Sequence, residues 1–288
     1  MISKSKSTTT TTTTTKTPPI NSYKKSNSDS HTNREQELQD YLGSKEFTFD
    51  NEEKSMKILK KAMEIVYLNN RPLVSIDVEA YERSQKKITE IGVVIYDPEQ
   101  SKNSIFPVIK SFHIIVKEHH RFFNKTFVPD NKHRFMGGIS YVLSLKDCKL
   151  FIEGVIEKYI NEENGAFVGH HIVSDLKWLR SLGIKFDQNI DIVDTGQIYT
   201  ISRSSGNLRE ILRSLGIPHA LLHNAANDAY YTLLAAMALC DPNIRIRDNL
   251  DFHKPSPKLS NEDKKRNKFS DNAIVDDTVS VNELLEEI

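Results

Sequence analysis

Two carboxylates, Asp77 and Glu79, stand two residues apart in the otherwise apolar run Leu-Val-Ser-Ile-Asp-Val-Glu-Ala at residues 73–80. On a strand, side chains at i and i+2 share a face, so both acids converge on one spot. At roughly 4–5 Å such charges repel by about 1 kcal/mol in water and by several at an effective dielectric near 20. A hard divalent cation with oxygen ligands is the obvious counter-charge for a pair on a buried strand. Alone, the pair also fits two solvated carboxylates on a half-exposed strand. Further acids follow. In Val168-Gly169-His170-His171-Ile172-Val173-Ser174-Asp175, a strand exits through two histidines into a helix whose first turn holds Asp175. Ligands collect where strands end and helices begin, although an acid there also interacts with the helix dipole for up to about 1 kcal/mol. Finally, His223 precedes Asp228 with four residues between them. Asp228 shares a helical stripe with Thr232, Ala235 and Leu239, a small apolar face that should pack on a sheet and leave the acid in need of a partner.

The elements that must position these groups follow from periodicity. Apolar runs predict strands over 73–80, 88–96, 108–116, 166–169 and 190–193, the first three joined by short links as an antiparallel meander. Helical spacing and stop signals predict helices over 51–68, 144–161, 174–182, 196–201, 207–215 and 224–239. A meander followed by alternating helices and strands predicts an α/β fold, a mixed five-stranded sheet with helices on both faces. Residues 117–134 (KEHHRFFNKTFVPDNKHR) read as a long loop whose interleaved cations and phenylalanines either stack single-stranded bases or dock on their own domain. Gly137-Gly138-Ile139 forms a turn where backbone can approach a ligand closely.

These residues carry a family resemblance. Ile76-Asp77-Val78-Glu79 followed by Ile88-Thr89-Glu90-Ile91-Gly92 resembles the first motif of the DEDDh 3′ to 5′ exonucleases, which have a ribonuclease H-like fold. Val168-Gly169-His170 running to Asp175 is similar to their second motif, and His223 to Asp228 to their third. The likeness spans about residues 72–239, and Asn227 before the last acid resembles a fungal Gfd-like branch. The resemblance implies two divalent cations, Mg²⁺ or Mn²⁺, held by Asp77, Glu79, Asp175 and Asp228, with His223 as general base and phosphodiester hydrolysis from a 3′ end as the reaction. It implies substrate contacts at Gly138, Ile139, His170, His171 and Asn224. His171, Ser174 and Asn224 stand where the family usually has asparagine, an aromatic and arginine, so the substrate is less determined than the chemistry. Single-stranded nucleic acid is the expected partner, with RNA slightly favoured over DNA. The rival reading is a non-catalytic ribonuclease H-like module that binds RNA or a protein.

Composition bounds the remainder. Lysine plus arginine equals aspartate plus glutamate at 39 each, so any basic surface must be local. Cys148 and Cys240 lie far apart and make no metal spacing, which fits free thiols in a reducing compartment. His119, His120, His170 and His171 find no completing set for zinc. Residues 1–36, with the threonine run 8–15, read as a disordered tail, 50–245 as the domain, and 249–288 as a polar tail whose basic cluster 264–268 has the composition of a nuclear signal. No apolar run reaches membrane-spanning length, so the expected location is intracellular, cytoplasmic or nuclear, with organelle import disfavoured.

Overall fold

The computed structural model describes residues 27–102, 104–204 and 206–254. Its centre is a six-stranded mixed sheet in the order β4-β3-β2-β1-β5-β6. The strands are β1 (Leu73–Tyr81), β2 (Ser84–Tyr96), β3 (Ile109–Val116), β4 (Ser140–Leu143), β5 (Ala166–Gly169) and β6 (Ile192–Asp194). β1, β2 and β3 form the expected antiparallel meander, while β5 runs parallel to β1 and β6 parallel to β5. The expected count of five strands is corrected to six by β4. This four-residue edge strand pairs in parallel with β3 and keeps Tyr141 and Val142 exposed. Its brevity and lack of a buried face hid it from pattern reading.

Helices cover both faces, as expected of the ribonuclease H-like architecture. On one face lie α2 (Glu52–Val66), α6 (Thr195–Thr200), α7 (Leu208–Ser214) and α8 (Ala225–Leu239), sharing a core with Leu73, Val94 and Val168. On the other, α4 (Leu145–Val155), continued by wider π-type turns over Ile156–Glu162, and α5 (Val173–Ser181) pack on Val74, Ile76, Val78 and Val93. Alternation along β1 thus sends Asp77 and Glu79 toward the α8 face and its even-numbered apolar residues toward α5. Local chemistry starts the helices. The Ser144 side chain accepts from Asp147 N, Asn207 and Glu210 complete a capping box, and the Asn224 side chain accepts from Asn227 N.

The fold reaches beyond the expected 50–245 span. Helix α1 (Asn27–Ser44) buries Leu38 and Tyr41 in the α8-side core, and its first turns belong to the span expected as a 1–36 tail. After the short α3 (Pro98–Ser101) and near the far end, α9 (Pro242–Arg247) carries Arg245, fully buried. Its guanidinium donates to Asp251 Oδ1 (3.0 Å) and to the carbonyls of Leu239 and Leu250, and Tyr41 Oη donates to the same Asp251 oxygen (2.6 Å). A polar cluster contributed by residues 210 positions apart gave no periodic signal in sequence. The basic cluster at 264–268 lies outside the described residues. Among the described residues no helix is long and apolar enough to cross a membrane.

Candidate active site

The acids are assembled by the ends of elements. β5 pairs with β1 only as far as Ser75, so the next stretch of β1 has no strand neighbour on that side. There the Val78 N–H donates to Asp175 Oδ1 at 2.8 Å, which pins the first turn of α5 beside Asp77 and Glu79. The turn from β5 into α5 is held by Asp194, whose carboxylate accepts from the backbone N–H groups of His171 (3.0 Å), Ile172 (3.3 Å) and Gly196 (2.9 Å). On the other face, Gly92 pairs directly with Asp77 across β1 and β2. A Cβ at Gly92 would lie 2.1 Å from the Ala225 carbonyl oxygen, so the first turn of α8 touches the sheet only because this position has no side chain. That approach brings Asp228 to the acids. As expected, Thr232, Ala235 and Leu239 on its stripe are buried. His223, at φ 65°, turns its backbone N–H onto Asp228 Oδ2 (3.0 Å) and its Nδ1 toward Glu79 Oε1 (3.9 Å).

The electrostatics are those of an under-neutralised cluster. Removal from water raises Asp77 well above the ordinary carboxylate range, and the nearby Asp175, Asp228, Glu79 and Glu90 raise it further. Glu79 is raised by removal from water and by Glu90, Asp228, Asp175 and Asp130. Burial lifts Asp175 to about 7, opposed by the Val78 hydrogen bond. Asp77 Oδ2 is buried with no hydrogen-bond partner, and donor atoms of Glu79, His223 and Asp228 lie within 4.8 Å of one another. Hard oxygen donors, mutual repulsion and an orphaned carboxylate oxygen together fit divalent cations such as Mg²⁺ or Mn²⁺.

The remaining expected site residues separate. Gly138 (φ 133°) and Ile139 (72% exposed) lie on the open approach to β4. His171 is exposed, and the His170 ring sits 3.1 Å from Thr195 Oγ1, its imidazole pushed by burial down to about 4 and therefore neutral. Asn224, expected to touch substrate, is placed inside the protein. It is fully buried, caps α8, and donates to the carbonyls of Asn131 (3.1 Å) and Lys132 (3.3 Å). His119 and His120 spend their Nδ1 atoms on the backbone carbonyls of Ile88 and Lys117. Loop 117–134 answers its two readings residue by residue. Phe122 docks on Tyr81 under Lys87, whereas Phe127 is 60% exposed. Sequence reasoning missed Glu90 and His113, a buried pair 3.0 Å apart. The only available signal was that Glu90 falls opposite Glu79 in the meander, where two like charges demand a third group.

With this geometry in place, the comparisons with known proteins are direct. A DEDDh family model described as "DNA polymerase III subunit epsilon-like, C-terminal domain" matches residues 72–239. Two Saccharomyces cerevisiae proteins are similar over 223 residues. "Good for full DBP5 activity protein 2" is 39% identical, covering 67% of this chain, and "Uncharacterized protein YDR514C" is 38% identical, covering 68%. The chain spans 39% and 46% of their respective lengths. The Schizosaccharomyces pombe "Uncharacterized nucleolar protein C2C4.08" is 30% identical over 167 residues, 54% of this chain and 64% of its own. Among solved structures, the RNase domain of yeast Pop2 aligns over 65% of this chain and 82% of its own at 12% identity, with a TM-score of 0.38. The fungal relatives agree with the branch suggested by Asn227. With the family model covering residues 72–239, which hold all four acids and His223, the chain belongs to the DEDDh, DNA polymerase III epsilon-like family.

Proposed function

We propose that this protein is a metal-dependent 3′ to 5′ exonuclease acting on single-stranded nucleic acid, RNA slightly ahead of DNA. The observation that carries the reading is the convergence of Asp77, Glu79, Asp175 and Asp228 with the half-buried His223, leaving an oxygen of Asp77 without a partner. Structural carboxylates are ordinarily paired. Several gathered at one largely buried spot raise one another's affinity for protons and cost stability, and this arrangement is expected of a site built for cations. The four carboxylates would hold two Mg²⁺ or Mn²⁺ ions, which when bound would supply charge neutralisation at the phosphate and lower the pKa of the attacking water. His223 then accepts the proton of that water, a role suited to an imidazole and typically worth about 10² to 10⁴ in rate. Glu79 Oε1, 3.9 Å from Nδ1, is placed to orient the ring. Asp175 ties the site to the β1 backbone, so its carboxylate keeps a fixed orientation. Gly138 and the exposed Ile139 would offer backbone and an apolar side chain to a terminal base, and Phe123 and Phe127 offer exposed rings for stacking. The nucleolar label of the fission-yeast relative makes the nucleus the compartment to examine first.

The test uses 5′-labelled RNA and DNA of one sequence with Mg²⁺, Mn²⁺ or EDTA, beside the Asp77→Ala protein. A metal-dependent ladder shortening from the 3′ end, absent in the variant, is the expected result. Strands that bind but stay intact under every condition would refute the assignment and leave the non-catalytic module standing.

A further inference from the structure

Three asparagines outside the acidic set deserve a function. Asn131, Asn224 and Asn227 are almost fully buried, and each joins the 131–136 end of the long loop to the segment 221–227 that carries His223. Asn131 Nδ2 donates to the Leu222 carbonyl (2.6 Å), and Asn224 Nδ2 donates to the carbonyls of Asn131 and Lys132. Asn227 Nδ2 donates to the carbonyls of Arg134 (3.1 Å) and Leu221 (3.0 Å), while its Oδ1 accepts from Met136 N (3.1 Å). The segment they grip is strained, with Leu221 and His223 at φ 52° and 65°, a region that residues with side chains enter only when their surroundings force it.

A second layer stands behind the clamp. His113 Nε2 lies 3.0 Å from Glu90 Oε2 and 3.2 Å from Asn224 Nδ2, and His113 Nδ1 meets Ser140 Oγ (2.8 Å). Ala225 N, at the start of α8, also donates to Glu90 Oε2 (3.4 Å). This hydroxyl, imidazole and carboxylate line up in series, yet His113 is completely buried, so the chain braces the start of α8 and attacks nothing.

We propose that Asn131, Asn224 and Asn227 are positioning residues that hold Leu221 and His223 in their left-handed conformations and thereby aim the His223 imidazole at the acidic site, making the folding of loop 131–136 and completion of the catalytic centre a single event. The inference rests on the reading of His223 as the base. Each asparagine is suited to the task, because a side-chain amide offers two donors and an acceptor without adding charge beside four carboxylates.

The experiment compares full-length wild type with Asn131→Ala and Asn227→Ala, using Asn207→Ala, which loses only the α7 cap, as a control for general destabilisation. Two quantities are read: kcat and KM on a single-stranded oligonucleotide with Mg²⁺, and amide exchange of residues 224–228 in metal-free protein. Both clamp variants are expected to lose about 10- to 100-fold in kcat with KM unchanged, and to exchange those amides about tenfold faster while the strands stay protected. Unchanged exchange at 224–228, or an equal kcat loss in Asn207→Ala, overturns the proposal. If the wild type hydrolyses nothing, the exonuclease reading fails, and the exchange comparison still decides whether the clamp exists.

Discussion

Gly92→Ala is the most direct test of how the site is assembled. The added methyl carbon would stand 2.1 Å from Ala225 O, 2.2 Å from its carbonyl carbon and 2.4 Å from Ala226 N, all backbone atoms of the α8 start. Real Cβ atoms do not come within 3.0 Å of such neighbours, so the helix must retreat by at least the difference, about 0.9 Å. Overpacking of this kind costs about 1–3 kcal/mol. For a domain of this size each kcal/mol lowers Tm by about 2–4 °C, so the expected fall is about 2–12 °C by calorimetry. The functional loss should be larger in proportion. Asp228 and His223 ride on that first turn, and a 1 Å displacement of catalytic groups can cost about 10²-fold in rate. Gly154→Ala on α4 is the matched control. Nothing lies within 4 Å of its added carbon, so the change should stabilise the helix by about 0.5–1 kcal/mol and leave activity alone. A Gly92→Ala protein with wild-type Tm and wild-type hydrolysis would refute the claim that close contact between α8 and the sheet builds the site.

The other predictions follow from charge. Asp175 titrates at 3.8 in the unfolded chain and at about 7 in the fold, so folding favours its protonated form. The stabilisation is complete below 3.8 and disappears as pH rises through about 7. The metal-free protein should therefore lose stability between pH 5 and 8, by about 3 kcal/mol for this group over the roughly two pH units below its folded value of about 7, and a flat profile in EDTA would contradict the raised value. Mg²⁺ or Mn²⁺ should raise Tm most at the alkaline end, where the carboxylates are ionised, and equal effects at pH 5 and pH 8 would count against binding at these acids. Asp77→Asn should abolish hydrolysis yet raise the metal-free Tm, since it relieves repulsion among Asp175, Asp228 and Glu79; a lower Tm would show Asp77 to be a structural residue. His223→Ala should leave a small residual rate in the same gel assay, whereas full activity would remove it as the base. Asp251→Ala strands the buried Arg245 guanidinium and should cost about 3–5 kcal/mol in urea unfolding. A negligible loss would place the domain boundary back near residue 245.

The sequence by itself determined the parts whose information is local. Alternation placed Asp77 and Glu79 on one face of β1, helical spacing put Asp228 on a buried stripe of α8, and spacing with stop signals marked helices close to α5, α7 and α8. Period and capping are properties of neighbours in the chain, and they can be read there. What brought the acids together was decided only by tertiary structure. Pairing of β5 with β1 had to stop at Ser75 for Val78 N–H to reach Asp175, and Gly92 had to meet Ala225 for α8 to approach. Neither condition is written in either segment alone, because each is a contact between residues tens of positions apart. Asn224 shows the same limit from the other side. Its motif position suggested substrate, but burial against loop 131–132 made it a brace. Sequence spacing specifies which groups share a face, whereas burial and the pairing of polar atoms, which assign those groups their work, arise only when distant segments close on one another.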